Sequence, residues 1–386
     1  MPQNFLECSK CILTTADDPN LALDKNGVCN YCAHYAEMDR LYVPKGAEAQ
    51  SQFDALIRQI KEAGRGRQYD CLVGVSGGVD STYVAYIAKR EGLRALAVHL
   101  DNGWNSELAV KNIENIVTRL GFDLFTYVID WNEFRDLQLS YLKASVVDIE
   151  AATDHAISGI LYRLALKHRV KFILGGNNVQ TETVLPRHWY WNKDDYINVK
   201  AIHAKFGTVP LKTYPFFGFR EKWLSEFKNI RTVPILNYLP YIKSGVKKTI
   251  QEELGWRDYG GKHYESIWTR FYQGYILPAK FGIDKRRGHL SSLIGAGQIT
   301  RDEALAELKK PIYDEEQMKT DRTFVLKKFG LTEDQFKNLM ALPIRSHRDF
   351  ASHGPIYDRY PVLRPLKPLG DFLKKTFLTP SARKTT

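Results

Sequence analysis

The 386-residue chain is poor in cysteine and has no long apolar run. Crossing a bilayer takes about 18–20 consecutive apolar residues, and no stretch approaches that length. The first residues, MPQNFLECSKC, lack the basic and apolar regions of a secretory leader. Both absences point to the cytoplasm. There are five cysteines, four of them within the first 32 residues, and in a reducing compartment structural disulfides are not expected. No internal repeat is present. Acidic residues are also in deficit, with 44 Asp and Glu against 55 Lys and Arg, which gives a formal charge of +11 and a pI of about 9.2. Such an excess suits a nucleotide, nucleic acid or anionic sugar as partner, or else a solvated basic face. It is partly local, concentrated in residues 280–287 and in the tail over 364–384. With 44% hydrophobic residues, the chain can build one large domain or two modest ones around an apolar core.

Residues 1–40 read as a cysteine-bearing, loop-rich segment. A helix follows on Phe53, Leu56, Ile57 and Ile60, closed by Gly64-Arg65-Gly66. An α/β rhythm then begins, with strands over 69–75, 95–100, 124–129 and 170–174 and helices over 80–91, 106–120 and 154–168. Strand, helix, strand in this order implies a parallel sheet with right-handed crossovers. From 184 to 256 the pattern gives way to an aromatic-rich stretch holding Trp189, Tyr190, Trp191, Phe216, Phe217 and Phe219, which reads as an insertion, a lid or irregular core. Beyond it the chain is mainly helical, most clearly over 301–308 and 333–342.

The sharpest signal is Ser76-Gly77-Gly78-Val79-Asp80-Ser81-Thr82, which follows a strand and opens a helix. Two glycines let backbone N–H groups approach an anion closely, and the helix N-terminus adds donors and a positive dipole end. Ser76, Ser81 and Thr82 offer hydroxyls, and Asp80 can cap the helix or help hold a divalent cation. The loop lacks both the Gly-Lys-Ser/Thr ending of a Walker A motif and the spacing of a dinucleotide fold. It resembles the SGGxDS signature of the PP-loop ATP pyrophosphatases, in which such a loop holds the β,γ-pyrophosphate. His99 to Gly103 ends the second strand, with Asp101 among its residues, and Gly175 to Glu182 follows the fourth. The latter is similar to a Gly-His-Asn-x-x-Asp-x-x-Glu-Thr stretch of PP-loop tRNA-modifying enzymes, with Asn177 in place of the His and Gln180 near the usual Asp.

Cys8-x-x-Cys11 and Cys29-x-x-Cys32 carry zinc-knuckle spacing. Four thiolates close a tetrahedral site and make the ion structural, with iron–sulfur ligation as the alternative. Cys71, within the first strand, reads as a small core residue. The segment Lys280-Phe281-Gly282-Ile283-Asp284-Lys285-Arg286-Arg287-Gly288 mixes cations with a glycine on each side. It could fold over ATP and stabilise a pyrophosphate leaving group, or be a solvated basic loop.

Continued through Ile294, Gly297, Thr300-Arg301 and Glu303-Ala304, this segment closely resembles a signature of the N-acetyl sugar amidotransferases of surface-polysaccharide biosynthesis. Those enzymes also combine paired CxxC motifs with SGGVDS. The resemblance implies ATP-dependent conversion of an acetamido group on a nucleotide-activated sugar acid into an acetamidino group, as in lipopolysaccharide O-antigen assembly. The reaction passes through an adenylated intermediate and uses ammonia from a separate glutaminase paired with a cyclase-like barrel subunit. It implies ATP and Mg²⁺ at Ser76, Gly77, Gly78, Asp80, Ser81, Thr82, His99, Asp101, Gly175 and Glu182, catalytic contacts from Asp80, Lys280, Lys285 and Arg286, and structural Zn²⁺ on Cys8, Cys11, Cys29 and Cys32. Asp154, Tyr162 and Arg163 are further candidates for the mouth of the site. The expected parts are a four-cysteine zinc-binding module over 1–40, a PP-loop α/β domain with an aromatic insertion over 41–260, and a helical region over 261–386 that completes the active site. A PP-loop tRNA-thiolating enzyme and a non-catalytic nucleotide-binding zinc scaffold are the alternatives.

Overall fold

The computed structural model describes residues 5–261 and 264–353. The basic tail over 364–384 lies outside the described residues. Helices α1 (Asn30–Tyr42) and α2 (Gly46–Ala63) lead into β1 (Cys71–Gly74), α3 (Val79–Arg90), β2 (Ala95–Asp101), α4 (Glu107–Leu120), β3 (Asp123–Val128), α5 (Trp131–Ala144), α6 (Ala151–His168) and β4 (Phe172–Gly175). After the short α7 (Val179–Glu182) come α8 (Tyr196–Phe206), α9 (Phe219–Phe227), β5 (Arg231–Pro234), α10 (Lys243–Leu254) and α11 (Ile267–Phe271). The chain continues from α11 as a π-helix over Tyr272–Phe281 and ends in α12 (Lys285–Gly295), α13 (Arg301–Leu308), α14 (Glu315–Phe329) and α15 (Glu333–Ala341).

The sheet is wholly parallel with order β3-β2-β1-β4-β5, and Leu72 of β1 lies between Leu96 of β2 and Ile173 of β4. Burial on both faces explains why β1 and β4 read as continuous apolar runs. On one face α2, α3, α4 and α10 close a core around Ile57, Val84, Ile87, Ile116 and Ile250, and on the other α6 packs Ile160 and Leu164 against Leu72, Leu96 and Ile173. Strand order reverses between β1 and β4, so the loops leaving their carboxyl ends diverge and open a crevice. That crevice holds the SGGVDS loop.

The expected α/β elements all form, within a few residues of their expected ends. Ser106 caps α4 by accepting from the Ala109 N–H, and Gly121 closes it in the left-handed region at φ 64°. The loop-rich reading of residues 1–40 needs correction, because α1 begins directly after Cys29 and carries Cys32. Much of the aromatic stretch is core: Trp189, Tyr214 and Phe217 are buried and Trp191 stacks on His347 with centroids 5.0 Å apart, whereas Phe219, at the start of α9, is exposed. Tyr162 and Arg163 also serve packing, Tyr162 by stacking on Phe217 and Arg163 by donating to the Phe216 carbonyl. A large third core runs from the N-terminal cysteines through Trp104, Phe134 and Tyr141 to Phe271, Phe329 and Phe336, and joins the C-terminal helices to the rest.

Gly159 on α6 shows how closely that helix is packed, since a methyl group there would overlap the Pro215 carbonyl oxygen, a backbone atom. Gly159→Ala is therefore expected to destabilise the fold by about 1–3 kcal/mol. A denaturant midpoint indistinguishable from the parent would contradict this packing.

Candidate active site

The loop is built to hold an anion. Gly77 has φ 79°, and a Cβ there would sit 2.7 Å from the Ala109 carbonyl oxygen, so only glycine fits. Ser76 Oγ accepts from the Gly78 N–H at 3.2 Å and lies 3.1 Å from Ser81 Oγ, while buried Thr82 Oγ1 donates to the Gly78 carbonyl at 2.6 Å. Trp256 Nε1 donates to the Gly77 carbonyl at 2.8 Å, and the Val79 N–H donates to Tyr259 Oη at 3.1 Å. Together these bonds fix the loop at the N-terminus of the 12-residue helix α3. His99 supports it from beneath: its Nδ1 bonds the Val75 carbonyl at 2.9 Å and its Nε2 lies 3.0 Å from Asn105 Nδ2. Those partners set the neutral Nδ1–H tautomer, and burial lowers the His99 pKa in the same sense.

The loop opens on a cleft of about 240 Å³ lined by Ser76, Gly78, Asp80, Ser81, Gly176, Asn177, Glu182, Lys243, Lys247, Tyr259 and Glu265. Asp80, Glu182 and Glu265 give it three carboxylates, and Lys243 and Lys247 two ammonium groups. Gly176 lets the β4 loop approach the backbone of Asp80, where a Cβ would come within 3.2 Å. Tyr241 donates its hydroxyl to Asp80 Oδ1, and burial together with that carboxylate raises the Tyr241 pKa. His289 bridges Thr181 and Lys243, with Nδ1 3.0 Å from the Thr181 carbonyl and Nε2 3.2 Å from Lys243 Nζ. Carboxylate oxygens beside an anion-binding loop suit Mg²⁺, a hard cation that prefers oxygen ligands and phosphate.

A second cleft, of about 510 Å³, lies between α4 and the ends of β2 and β3. Its walls include Val110, Ile113, Val117 and Leu124, with His99 and Asp101 at its polar end. Asp101 accepts from the Gly103 N–H at 2.9 Å. His99 and Asp101 thus adjoin the loop without lining its cleft, whereas Glu182 lines it. Gly175 stands at the end of β4, directly before the cleft-lining Gly176 and Asn177.

The basic segment behaves differently from the expectation. Lys280 Nζ donates to the carbonyls of Leu339, Met340 and Leu342 at 2.8–3.0 Å and so closes the C-terminus of α15. Arg286 pairs with Asp284 at 2.8 Å and donates to the Lys310 carbonyl at 2.9 Å beyond α13. Lys285 lies among Asp148, Glu150, Asp154 and Lys193, where burial lowers its pKa. None of the three lines the loop cleft. Gly288, which closes the segment, sits inside α12, where a Cβ would meet the Val184 carbonyl oxygen at 2.6 Å. Among the described residues the cleft's cations are Lys243 and Lys247, one helical turn apart on α10. They carry no motif, and an i, i+4 pair of lysines is their only signal. Tyr241, Tyr259, Glu265 and His289 likewise reach the cleft by folding alone.

The four N-terminal cysteines are buried, with Sγ atoms all within 4.8 Å of one another. Cys8 and Cys32 sulfurs are 3.9 Å apart, and those of Cys11 and Cys29 3.6 Å. A tetrahedral ion with Zn–S bonds of about 2.3 Å would space sulfurs by about 3.8 Å. Cys8 Sγ also accepts from the N–H groups of Lys10, Cys11 and Cys29 at 3.3–3.4 Å. The donor set therefore fits zinc. Cys71, fully buried in β1, is a core residue whose thiol burial pushes up.

Comparison with known proteins agrees with this architecture. The family described as LPS biosynthesis protein WbpG-like, C-terminal domain, matches residues 265–364, and that described as Queuosine biosynthesis protein QueC matches residues 70–161. A tRNA(Ile)-lysidine synthase from Chlamydia pneumoniae is 36% identical over 70 residues, which is 18% of this chain and 22% of that protein. The chain thus spans under a quarter of that relative's length. Among solved structures, NMN synthetase from Francisella tularensis aligns at 18% identity and TM-score 0.29, covering 35% of this chain and 57% of that one. NH3-dependent NAD synthetase from Campylobacter jejuni aligns at 15% identity and TM-score 0.30, covering 54% of this chain and 95% of that one. TM-scores this low leave the fold to be assigned from the strand order and the loop. On those the chain has a PP-loop fold, with residues 70–161 similar to the QueC family and residues 265–364 similar to the WbpG-like C-terminal domain.

Proposed function

We propose that the chain is an ATP-dependent amidotransferase that converts an acetamido group of a nucleotide-activated sugar acid into an acetamidino group. The observation that carries this reading is the meeting of the SGGVDS loop with residues of the WbpG-like domain, since Glu265 lines the cleft that Asp80 opens and His289 contacts the cleft-lining Lys243. In this reading ATP lays its β- and γ-phosphates on the N-terminus of α3, with Lys243 and Lys247 facing them, and its base against the apolar wall of Val110, Ile113 and Val117. Mg²⁺ would be held through Asp80, Glu182 and Glu265, and neutralises phosphate charge when bound. The amide oxygen of the sugar attacks the α-phosphorus, the bond to pyrophosphate breaks, and an imidoyl-adenylate results. Ammonia then attacks the imidoyl carbon and AMP departs with the former amide oxygen. The lysines and the α3 dipole favour the leaving pyrophosphate because they are already aimed at it before its charge develops.

Glutamine cleavage by an amidotransferase-type glutaminase needs an activated cysteine. Four of the five cysteines are gathered in the N-terminal cluster and Cys71 is inside the sheet. A separate glutaminase with a cyclase-like barrel subunit is therefore proposed as the ammonia source. The same cysteine count weighs against tRNA thiolation, which needs further reactive thiols.

The test supplies ATP, Mg²⁺ and ammonium with either diacetamido nucleotide-sugar acids or bulk tRNA plus a sulfur donor, and reads pyrophosphate. Sugar-dependent release, with product carrying NH in place of O, is expected. Release that requires tRNA instead would overturn the proposal, and nucleotide binding with no release under any condition would favour a non-catalytic scaffold.

A further inference from the structure

Behind the ATP cleft lies a second polar cluster that the loop chemistry does not use. Asp148 is fully buried just before α6. Its Oδ2 accepts from Lys193 Nζ at 2.6 Å and from the Trp191 N–H at 2.7 Å. Glu150, 9% exposed, accepts from Thr269 Oγ1 at 2.9 Å. Lys193 also pairs with Asp154 at 3.1 Å. Lys285 completes the group, with its ammonium 5.9 Å from the Tyr272 ring centroid. Lys193 and Lys285 both act on Asp148 and on Glu150, so the two carboxylates share one electrostatic environment. Three oxygen atoms here, Asp148 Oδ1, Glu150 Oε1 and Thr153 Oγ1, are buried and have no hydrogen-bond partner among the described residues.

An unsatisfied buried carboxylate oxygen costs more than most side chains can offset. Two such oxygens and the Thr153 hydroxyl, contributed within six residues of chain, define the chemistry of what would satisfy them. With Glu150 ionised, three carboxylates face two ammonium groups and the cluster is short of one positive charge, whereas with Glu150 protonated the charges balance. A divalent cation would bring one charge too many beside Lys193 and Lys285. A small monovalent ion with several N–H donors matches both the charge and the acceptors, and the cluster already accommodates one –NH₃⁺ group between Asp148 and Asp154.

The cluster is also placed to feed the ATP cleft. On α12, Lys285 faces the cluster and His289, one turn later, contacts Lys243 in the cleft. Glu265 lines the cleft, and Thr269, four residues on, holds Glu150. From Lys285 to His289, four residues of helix advance about 6 Å. On the opposite side the cluster reaches solvent, the Asp154 side chain being 45% exposed and that of Lys193 32%.

We infer that Asp148, Glu150, Thr153, Lys193 and Lys285 form an ammonium station, which takes NH₄⁺ at the Asp154–Lys193 rim and releases NH₃ toward the ATP cleft. This deepens the proposed function and rests on it for ammonia as a substrate. In the step, NH₄⁺ loses a proton to the Glu150 carboxylate, giving neutral NH₃ and Glu150–COOH, and the proton returns to solvent past Asp154 and Lys193. NH₃ keeps the lone pair that attacks the imidoyl carbon. Burial, with the Asp154 charge, pushes the Glu150 carboxyl up to about 7, against the Thr269 bond and the two lysines, so that it can both take and give up a proton near neutrality.

The test follows saturable broadening of the ¹⁵N-ammonium resonance by the whole chain, with potassium as competitor, alongside the KM for ammonium and for ATP. Glu150→Gln and the near-isosteric Thr153→Val keep side-chain volume and so preserve the fold. Wild type is expected to bind ammonium saturably, and Glu150→Gln to weaken that binding and raise the ammonium KM tenfold or more while the ATP KM stays put. Equal binding in wild type and both variants, or displacement by potassium at equal concentration, would overturn the inference. Ammonium binding without amidinated product from any sugar would sink the proposed function and leave the station standing. Product formation with an unchanged ammonium KM in Glu150→Gln would do the reverse.

Discussion

Lys243→Ala is expected to lower ATP-dependent pyrophosphate release about 10²–10³-fold, the usual cost of removing one preorganised group that stabilises developing charge. Lys243 and Lys247 stand on the same face of α10, one turn apart, and both line the cleft beneath the SGGVDS loop. Lys247 also pairs with Asp258 at 2.6 Å, and Lys247→Ala is expected to lower the same rate in the same direction. Lys280→Ala and Arg286→Ala give the contrast. Their donors end on main-chain carbonyls at the ends of α15 and α13, and for Arg286 also on the Asp284 carboxylate, and losing those bonds should reduce stability by about 1–3 kcal/mol with little change in the rate per folded molecule. Pyrophosphate release and thermal unfolding measured on all four variants separate the two outcomes. A rate collapse in Lys280→Ala at unchanged melting temperature would return that residue to the catalytic machinery.

That contrast marks where sequence stops being informative about this site. The phosphate loop is legible because its requirements are local: a glycine where φ is positive, hydroxyls within one turn, a strand before it and a helix after. The cysteine cluster is legible because each CxxC pair makes its own knuckle. The cation run over 280–287 is ambiguous for a physical reason. Lysine and arginine meet phosphate oxygens and helix-terminal carbonyls with the same donors, and the carbonyls that decide the matter lie at 308–310 and 339–342, distant in sequence. Helix α5 is hidden in the sequence because its buried face includes Glu133 and Asp136, which break the apolar pattern. Both are buried because they accept from the N–H groups of Thr208, Val209, Thr213 and Tyr214 and so anchor the irregular stretch before α9. Strand β5 is four residues long and ends in Pro234, a form that an edge strand tolerates and sequence pattern does not reveal.

Metal removal is expected to have the largest effect on stability. Structural zinc binds with an apparent free energy of about 10–16 kcal/mol in isolated knuckles, comparable to the whole stability of a typical domain, about 5–15 kcal/mol. Here the cluster also holds other parts together. Arg287 on α12 donates to the Ile12 carbonyl at 2.6 Å, and Arg301 on α13 donates to the Cys11 carbonyl at 3.1 Å. The Tyr35 ring of α1 lies so close to Gly295 that a Cβ there would come within 2.8 Å of it. The module therefore buttresses α12, the helix that carries Lys285 to the ammonium station and His289 to the ATP cleft. Chelation, or Cys29→Ser, should release residues before Tyr42 to proteolysis, lower the melting temperature sharply, and depress pyrophosphate release even though no cysteine touches the cleft. Metal analysis should find one zinc per chain, whereas iron with inorganic sulfide would assign the thiolates to a cluster. A stripped protein that melts where the loaded one does, with its N-terminus still protected, would show that the cysteines pack without an ion and that α12 stands without their support.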